Sequence, residues 1–197
     1  MRKDILTILF TVALTFPGIS LGQAPGHWTL GVGAGTASHE LTYYNLYDYN
    51  DKAQFLSLQR KITSWVSLEG RYVDLGSTRG NFFYVSPGTI GALPNTMATS
   101  AKGLALAPVF TIPLNKHWHI GGRVGLSYLS VEESILGGTV NSSHGKEKQT
   151  NFYSGIMVDY LLNQTFSLGG SWDLYKIDTS KGNLDVNHYA ITFKARF

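Results

Sequence analysis

Cysteine is absent from the 197 residues, which excludes disulfides, thiol nucleophiles and zinc–thiolate sites. Charge is scarce too: Asp, Glu, Lys and Arg make up 15% of the chain, where soluble domains carry about a quarter. The formal charge of +3 is scattered, with no basic cluster, so nothing points to a nucleic-acid partner. After residue 24 no apolar run approaches the ~20 residues that a membrane-spanning helix needs. What is plentiful is glycine, 22 residues, and aromatic side chains, 13%. That balance describes an all-β chain stabilised by sheet hydrogen bonds and packing.

The first residues carry a basic start at Arg2 and Lys3, an apolar run from Ile5 to Phe16 and a small-residue exit at Ser20 and Gly22. This is the pattern of a secretory leader. Cleavage after Ala24 would put Pro25 first, so the expected division is a signal peptide over 1–22 and a mature barrel domain over 23–197.

The mature chain alternates apolar and polar residues with period two, the mark of strands with unlike faces. Segments 27–41, 53–63, 66–76, 102–114, 118–132, 151–163, 166–178 and 186–197 predict eight strands. In the fifth, Trp118, Ile120, Val124, Leu126 and Tyr128 share one parity, while His119, Arg123 and Ser127 share the other. Tight connections at "KITSW", "PLNKHW" and "LLNQTF" alternate with longer stretches. An up-and-down antiparallel sheet then has all its short turns at one end, the asymmetry of outer-membrane barrels.

The less oily face is rich in small residues, among them Gly31, Gly33, Ala105, Ala107, Gly125, Gly155 and Gly169. Small residues suit the cramped interior of an eight-stranded barrel, and the oily face is left to lipid. Closure removes the unpaired edges that a bilayer cannot satisfy. The expected fold is an eight-stranded antiparallel up-and-down transmembrane β-barrel in the bacterial outer membrane. Trp28, Trp118, Phe166 and Phe197 would ring the tight-turn end, and Tyr72, Tyr128, Phe152 and Trp172 the other. Arg60 would reach to headgroups from the rim, and Trp65 would cap the lumen floor.

"HWTLGVGAG", "WVSLEGRYVDLG", "TIPLNKHWHIGGRVGL", "GIMVDYLLN" and the terminal "FKARF" occur in this order over nearly the whole mature chain. In them the chain resembles the transmembrane barrel of the outer-membrane protein A family, and the barrel-only subset of it. The resemblance implies that the final strand, with Tyr189, Phe193 and Phe197, is the signal read by the barrel-assembly machinery. It also implies an interior charge network in which Glu69, Arg123 and Asp159 occupy the family's third-, fifth- and sixth-strand positions. Val109 and Gly169 stand where the family often has Lys or Arg, so the pattern behind a family-type gating switch is incomplete.

Parity alone places Glu69, Arg71, Arg123, Asp159, Asp173, Lys194 and Arg196 in the lumen, where charges must pair. A static plug of ion pairs is the expected result, with a small solute pore as the alternative. A lipid A-modifying enzyme comes third: the one adjacent serine–histidine pair, Ser143 and His144, lies in a polar stretch that cannot hold catalytic geometry. No catalytic site, cofactor or metal is expected, "HWH" at 117–119 being a two-residue chelate at best. Function is expected in the long connections, where Tyr43, Tyr44, Tyr47 and Tyr49 and then Phe82, Phe83 and Tyr84 cluster. Tyrosine supplies rigid amphipathic contact area. The expected partners are outer-membrane lipid and lipopolysaccharide, the assembly machinery, and a host surface or matrix ligand, bound by a monomer in an adhesin-like or envelope-structural role.

Overall fold

A computed structural model describes residues 27–41, 46–84, 93–137, 144–179 and 182–197. The expected signal peptide lies outside the described residues. Eight strands follow in order: β1 (Trp28–Leu41), β2 (Leu46–Lys61), β3 (Val66–Tyr84), β4 (Leu93–Pro113), β5 (Trp118–Gly137), β6 (His144–Leu161), β7 (Phe166–Thr179) and β8 (Gly182–Arg196). Each pairs antiparallel with its sequence neighbours, and β1 pairs with β8, Val32 opposite Phe193 and Thr36 opposite Tyr189, to close the barrel. At the seam Trp28 and Phe197 exchange backbone hydrogen bonds of 3.1 and 3.0 Å.

The tight turns fall where the sequence puts them. Asn115 Oδ1 accepts from the backbone of His117 and Trp118 at 2.9 Å, and Asn163 Oδ1 accepts from Thr165 and Phe166 at 2.8 and 2.7 Å. Such Asx contacts mimic a backbone turn and hold the chain reversal.

The other end differs from the sequence reading. Strands continue into most of the stretches expected as loops: Tyr47 and Tyr49 lie in β2, Tyr49 opposite His39, and Phe82, Phe83 and Tyr84 lie in β3 opposite Asn95, Pro94 and Leu93. The expected loop "TSKGNLD" is largely strand as well, since Thr179 pairs with Gly182. Tyr43 and Tyr44 lie outside the described residues, as do the side chains of Tyr47, Tyr49, Phe82, Phe83 and Tyr84.

Why the strands run on is visible in how their faces change. Toward the tight turns the outward side chains are apolar, as at Leu104, Leu106, Ile112 and Leu126, and the inward ones are polar or small, as at Glu69, Arg123, Gly155 and Lys194. Past the row containing Tyr72, Leu104 and Tyr128 the faces exchange character. Ser130, Glu132, Lys102, Lys148, Lys176 and Asn187 then point outward. Leu75, Leu129, Val131, Ile177, Leu184 and Val186 point inward and are fully buried or nearly so.

The barrel is thus lipid-facing outside and polar inside over one part of its height, and water-facing outside with an apolar core over the other. Trp118 and Tyr128, ten residues apart on β5, are separated by ~33 Å of strand, or ~25 Å of height at an ordinary tilt, which is the height of a transmembrane apolar band. The exchange of faces therefore marks one membrane boundary.

Both expected aromatic belts are present. Phe166 stacks on Phe193 at 5.6 Å and Trp118 meets Tyr160 edge-on at 5.0 Å near the tight turns; Trp172 stacks on Tyr189 at 6.4 Å near the other boundary. The Arg60 guanidinium sits 5.5 Å over the Trp28 ring, which lets it shed part of its hydration at the rim. Trp65 does not cap the lumen. It is 56% exposed and stacks at 6.0 Å on the outward Phe110, because it belongs to the turn rather than to β3 and escapes strand parity.

Candidate functional site

Glu69 and Arg71 on β3, Arg123 on β5 and Asp173 on β7 converge in the lumen as a ring of alternating sign. Arg71 Nη1 donates to Asp173 Oδ2 at 2.8 Å, Arg123 Nε donates to Asp173 Oδ1 at 2.6 Å, and Arg123 Nη1 donates to Glu69 Oε1 at 3.1 Å. Arg71 Nε lies 3.2 Å from Glu69 Oε1, closing the cycle. Gln59 Nε2 adds a bond of 2.6 Å to the second Glu69 oxygen. Four charged groups with essentially no exposure balance to zero, the condition under which a dry interior tolerates them.

Phe55 backs the ring, its face 3.8 Å from the Arg71 guanidinium carbon, and His188 Nδ1 lies 3.5 Å from Asp173 Oδ2. Gly155 makes the arrangement possible, because a Cβ there would collide with Asp173 Oδ1.

Closer to the tight turns, Lys194 Nζ donates to Asp159 Oδ2 at 2.6 Å. Gly169 clears the space for that carboxylate in the same way. Arg196 is half-buried nearby and, among the described residues, forms no ion pair within 4 Å. The seven charges expected in the lumen therefore sort into a neutral ring, a neutral pair and Arg196.

Beyond the ring lies the layer that parity did not foretell. Tyr153 and Tyr175 stack face to face at 5.1 Å and 6°. Above them Val73, Leu75, Leu129, Val131, Ile177, Leu184 and Val186, from β3, β5, β7 and β8, fill the interior. The signal for this layer was present in β5, where Leu129 and Val131 are apolar on the parity assigned to the polar face, but it was masked by reading one rule along the whole strand. The polar and aromatic supports Gln59, Phe55 and His188 were missed because none carries a charge pattern of its own.

Outside the membrane band the strands are fastened by local polar contacts. Asp51 Oδ2 accepts from the Ser77 backbone at 2.6 Å and from Ser77 Oγ at 3.2 Å, fixing a bulge between Asp74 and Ser77. Gly76 adopts φ +75° at this bulge, the left-handed conformation that glycine takes without a steric cost. Partial burial pushes the Asp51 carboxyl up, and the bonds from the Ser77 and Lys52 backbones outweigh it and hold the group below the ordinary carboxylate range. Burial lowers His39 against a bond to the Leu75 carbonyl, 3.1 Å from its Nε2, so its ring stays neutral near pH 7.

The histidines of "HWH" diverge: His117 is exposed and stacks on Tyr160 at 5.6 Å, while His119 points inward opposite Asp159. Ser143 lies outside the described residues, and His144 opens β6 opposite Ser134.

A closed cylinder with a lipid-facing band, two aromatic belts and a packed lumen defines an integral outer-membrane barrel. The family model for the outer membrane protein β-barrel domain matches residues 6–197, and the chain belongs to that family. Its fold is shared by solved barrels of low sequence identity. Neisserial surface protein A superposes with a TM-score of 0.57 at 11% identity, covering 89% of this chain and 100% of that one. Ail, the attachment invasion locus protein of Yersinia pestis, gives 0.55 at 13%, covering 88% and 99%. OprG from Pseudomonas aeruginosa gives 0.53 at 11%, covering 88% and 97%. Compared with curated proteins, the chain finds no match. The protein is a bacterial outer-membrane β-barrel, similar to the outer-membrane protein A family.

Proposed function

We propose that this barrel is a closed, non-enzymatic scaffold that carries an interaction surface on the outside of the cell, in an adhesin-like or envelope-structural role. The observation that carries the reading is the apolar layer above the ion-pair ring. Side chains with no exposure, Val73, Leu75, Leu129, Tyr175, Ile177 and Leu184 among them, occupy the lumen beyond the membrane boundary. A conduction path does not need such a core, whereas a rigid platform does. Strands that stay paired above the bilayer raise the β1–β2 and β3–β4 tips away from the headgroups, and those tips are where the tyrosines and phenylalanines cluster in sequence.

On this reading Tyr43, Tyr44, Tyr47, Tyr49, Phe82, Phe83 and Tyr84 are contact residues for a host or envelope partner. Tyr189, Phe193 and Phe197 serve the assembly machinery. The chain works as a monomer among outer-membrane lipid and lipopolysaccharide.

Two measurements test it. In planar bilayers the purified protein is expected to show no steady single-channel conductance; long-lived openings that respond to Glu69→Gln or Arg123→Gln would replace the scaffold by a small pore. Cells displaying a variant with Tyr43, Tyr44, Tyr47 and Tyr49 all changed to Ser are expected to lose most of their adhesion to a matrix-coated surface while the barrel still shows heat-modifiable gel mobility. Unchanged adhesion with normal assembly would remove the tyrosine cluster from the contact surface.

A further inference from the structure

Three cross-strand rows on the outer wall, read from the strand registers, stack into an unusual combination. The lowest runs Leu30, Leu58, Gly70, Leu106, Leu126, the next Leu56, Tyr72, Leu104, Tyr128, Thr150, and the uppermost Gln54, Asp74, Lys102, Ser130, Lys148. The first two border an open, apolar groove of about 710 Å³ that includes Gly70, a shape suited to a chain lying along the wall rather than to an engulfed ligand. The third sets two exposed lysines on either side of Ser130 at the membrane boundary.

At Gly31, Gly155 and Gly169 a Cβ would strike a neighbour, and at Gly76 φ is positive; Gly70, like Gly122, Gly145 and Gly170, has room for a side chain. Of these four open glycines Gly70 alone lines the groove, where its missing side chain leaves the space between Leu58 and Leu106. Lys146, two residues from Lys148 on β6, is engaged by Glu132 directly opposite it at 2.8 Å, whereas Lys102 and Lys148 form no ion pair among the described residues. Asp74, across from Lys102, is tied to the bulge through a bond from Gly76 N at 3.0 Å.

We propose that this wall binds one molecule of lipid A, an acyl chain seated in the Gly70 groove and a glucosamine phosphate held between Lys102 and Lys148. The site lies at the boundary beyond which the wall becomes water-facing, on the side opposite the tight turns, and there the outer leaflet presents phosphorylated saccharide headgroups above acyl chains. Charge complementarity selects the phosphate, and the groove selects a lipid over a free anion. The proposal rests on the outer-membrane reading but not on the tyrosine tips.

The test is native mass spectrometry of the full protein, folded in detergent and incubated with bis-phosphorylated hexa-acyl lipid A or with phosphatidylglycerol. Wild type is expected to retain one lipid A in preference to phosphatidylglycerol. A Lys102→Gln, Lys148→Gln variant should retain it more weakly by roughly twenty-five-fold, about fivefold for each lysine near an anionic headgroup. Gly70→Leu should lose it by filling the groove, and the double lysine variant keeps the test standing if that barrel does not assemble. Gly170→Leu and Lys176→Gln, outward changes elsewhere on the wall, should leave retention unchanged. Equal retention by wild type and the lysine variant, or equal retention of phosphatidylglycerol, would overturn the site. Heat-modifiable mobility separates that outcome from failure of the barrel itself.

Discussion

Changing Asp173 to Ala is expected to destabilise the barrel by about 3–5 kcal/mol, the size measured when one member of a buried ion-pair group is removed. Asp173 accepts from both Arg71 and Arg123, and its loss leaves two guanidinium groups facing the single carboxylate of Glu69. The surplus positive charge has no water to solvate it, since the four side chains are at most 1% exposed. The loss is therefore larger than for exposed pairs such as Lys146 and Glu132, which contribute about 0–1 kcal/mol.

A second variant distinguishes a stranded charge from a simple cavity. Replacing all four ring members together, Glu69→Leu, Arg71→Met, Arg123→Met and Asp173→Leu, should recover most of the stability, because an apolar set of similar volume removes the desolvation cost along with the attraction. Urea midpoints of the protein refolded into lipid vesicles would measure both. An Asp173→Ala shift below about 1 kcal/mol would mean that the ring is hydrated.

Much of this architecture was legible in the sequence because a barrel in lipid obeys a simple period. Each residue from Trp118 to Tyr128 could be assigned to a face from parity alone, and the tight turns announced themselves through Asn115 and Asn163. The lumen charges were found the same way: an Arg or Asp on the inward parity of a strand with a greasy outer face has nowhere to be except among other charges. Pairing partners were not legible. Nothing local to Glu69 says that it meets Arg123 rather than Lys194, since that depends on strand order and shear around the closed sheet.

What parity missed came from a change of solvent partway along each strand. Above the boundary the outer face of β5 becomes Ser130 and Glu132 while Leu129 and Val131 turn inward. A reader expecting one polarity per face sees the alternation break down there and assigns a loop. Tyr47, Tyr49, Phe82, Phe83 and Tyr84 were placed in loops for this reason, and the continuation of β2 and β3 through them followed from pairing that has no one-strand signature.

Three lysine substitutions on β5 should read out that change of solvent directly. At Val124, outward and near the middle of the band, Val124→Lys should cost about 2–4 kcal/mol, because the ammonium must reach the interface or drag water into hydrocarbon. Ser130→Lys, on the same face six residues further along, should cost no more than about 1 kcal/mol, the repulsion of the lysines directly opposite it on both sides, because those neighbours, Lys102 and Lys148, stand exposed to water. Leu129→Lys, adjacent to Ser130 but inward, should prevent stable folding. Leu129 has no exposure and packs in a cluster with Val131 and Tyr153, so the charge would be stripped of water there, and the inward Glu147, one diagonal away across the β5–β6 pair, already accepts from Gln149.

Stability in lipid vesicles, followed by tryptophan fluorescence and gel mobility, gives the three values. If Ser130→Lys were as costly as Val124→Lys, the bilayer would extend past the row of Tyr128 and the apolar layer would lie inside the membrane. If Leu129→Lys folded normally with Glu147 changed to Gln as well, the lumen at that height would contain water, and the closed platform on which the surface-interaction reading depends would be open.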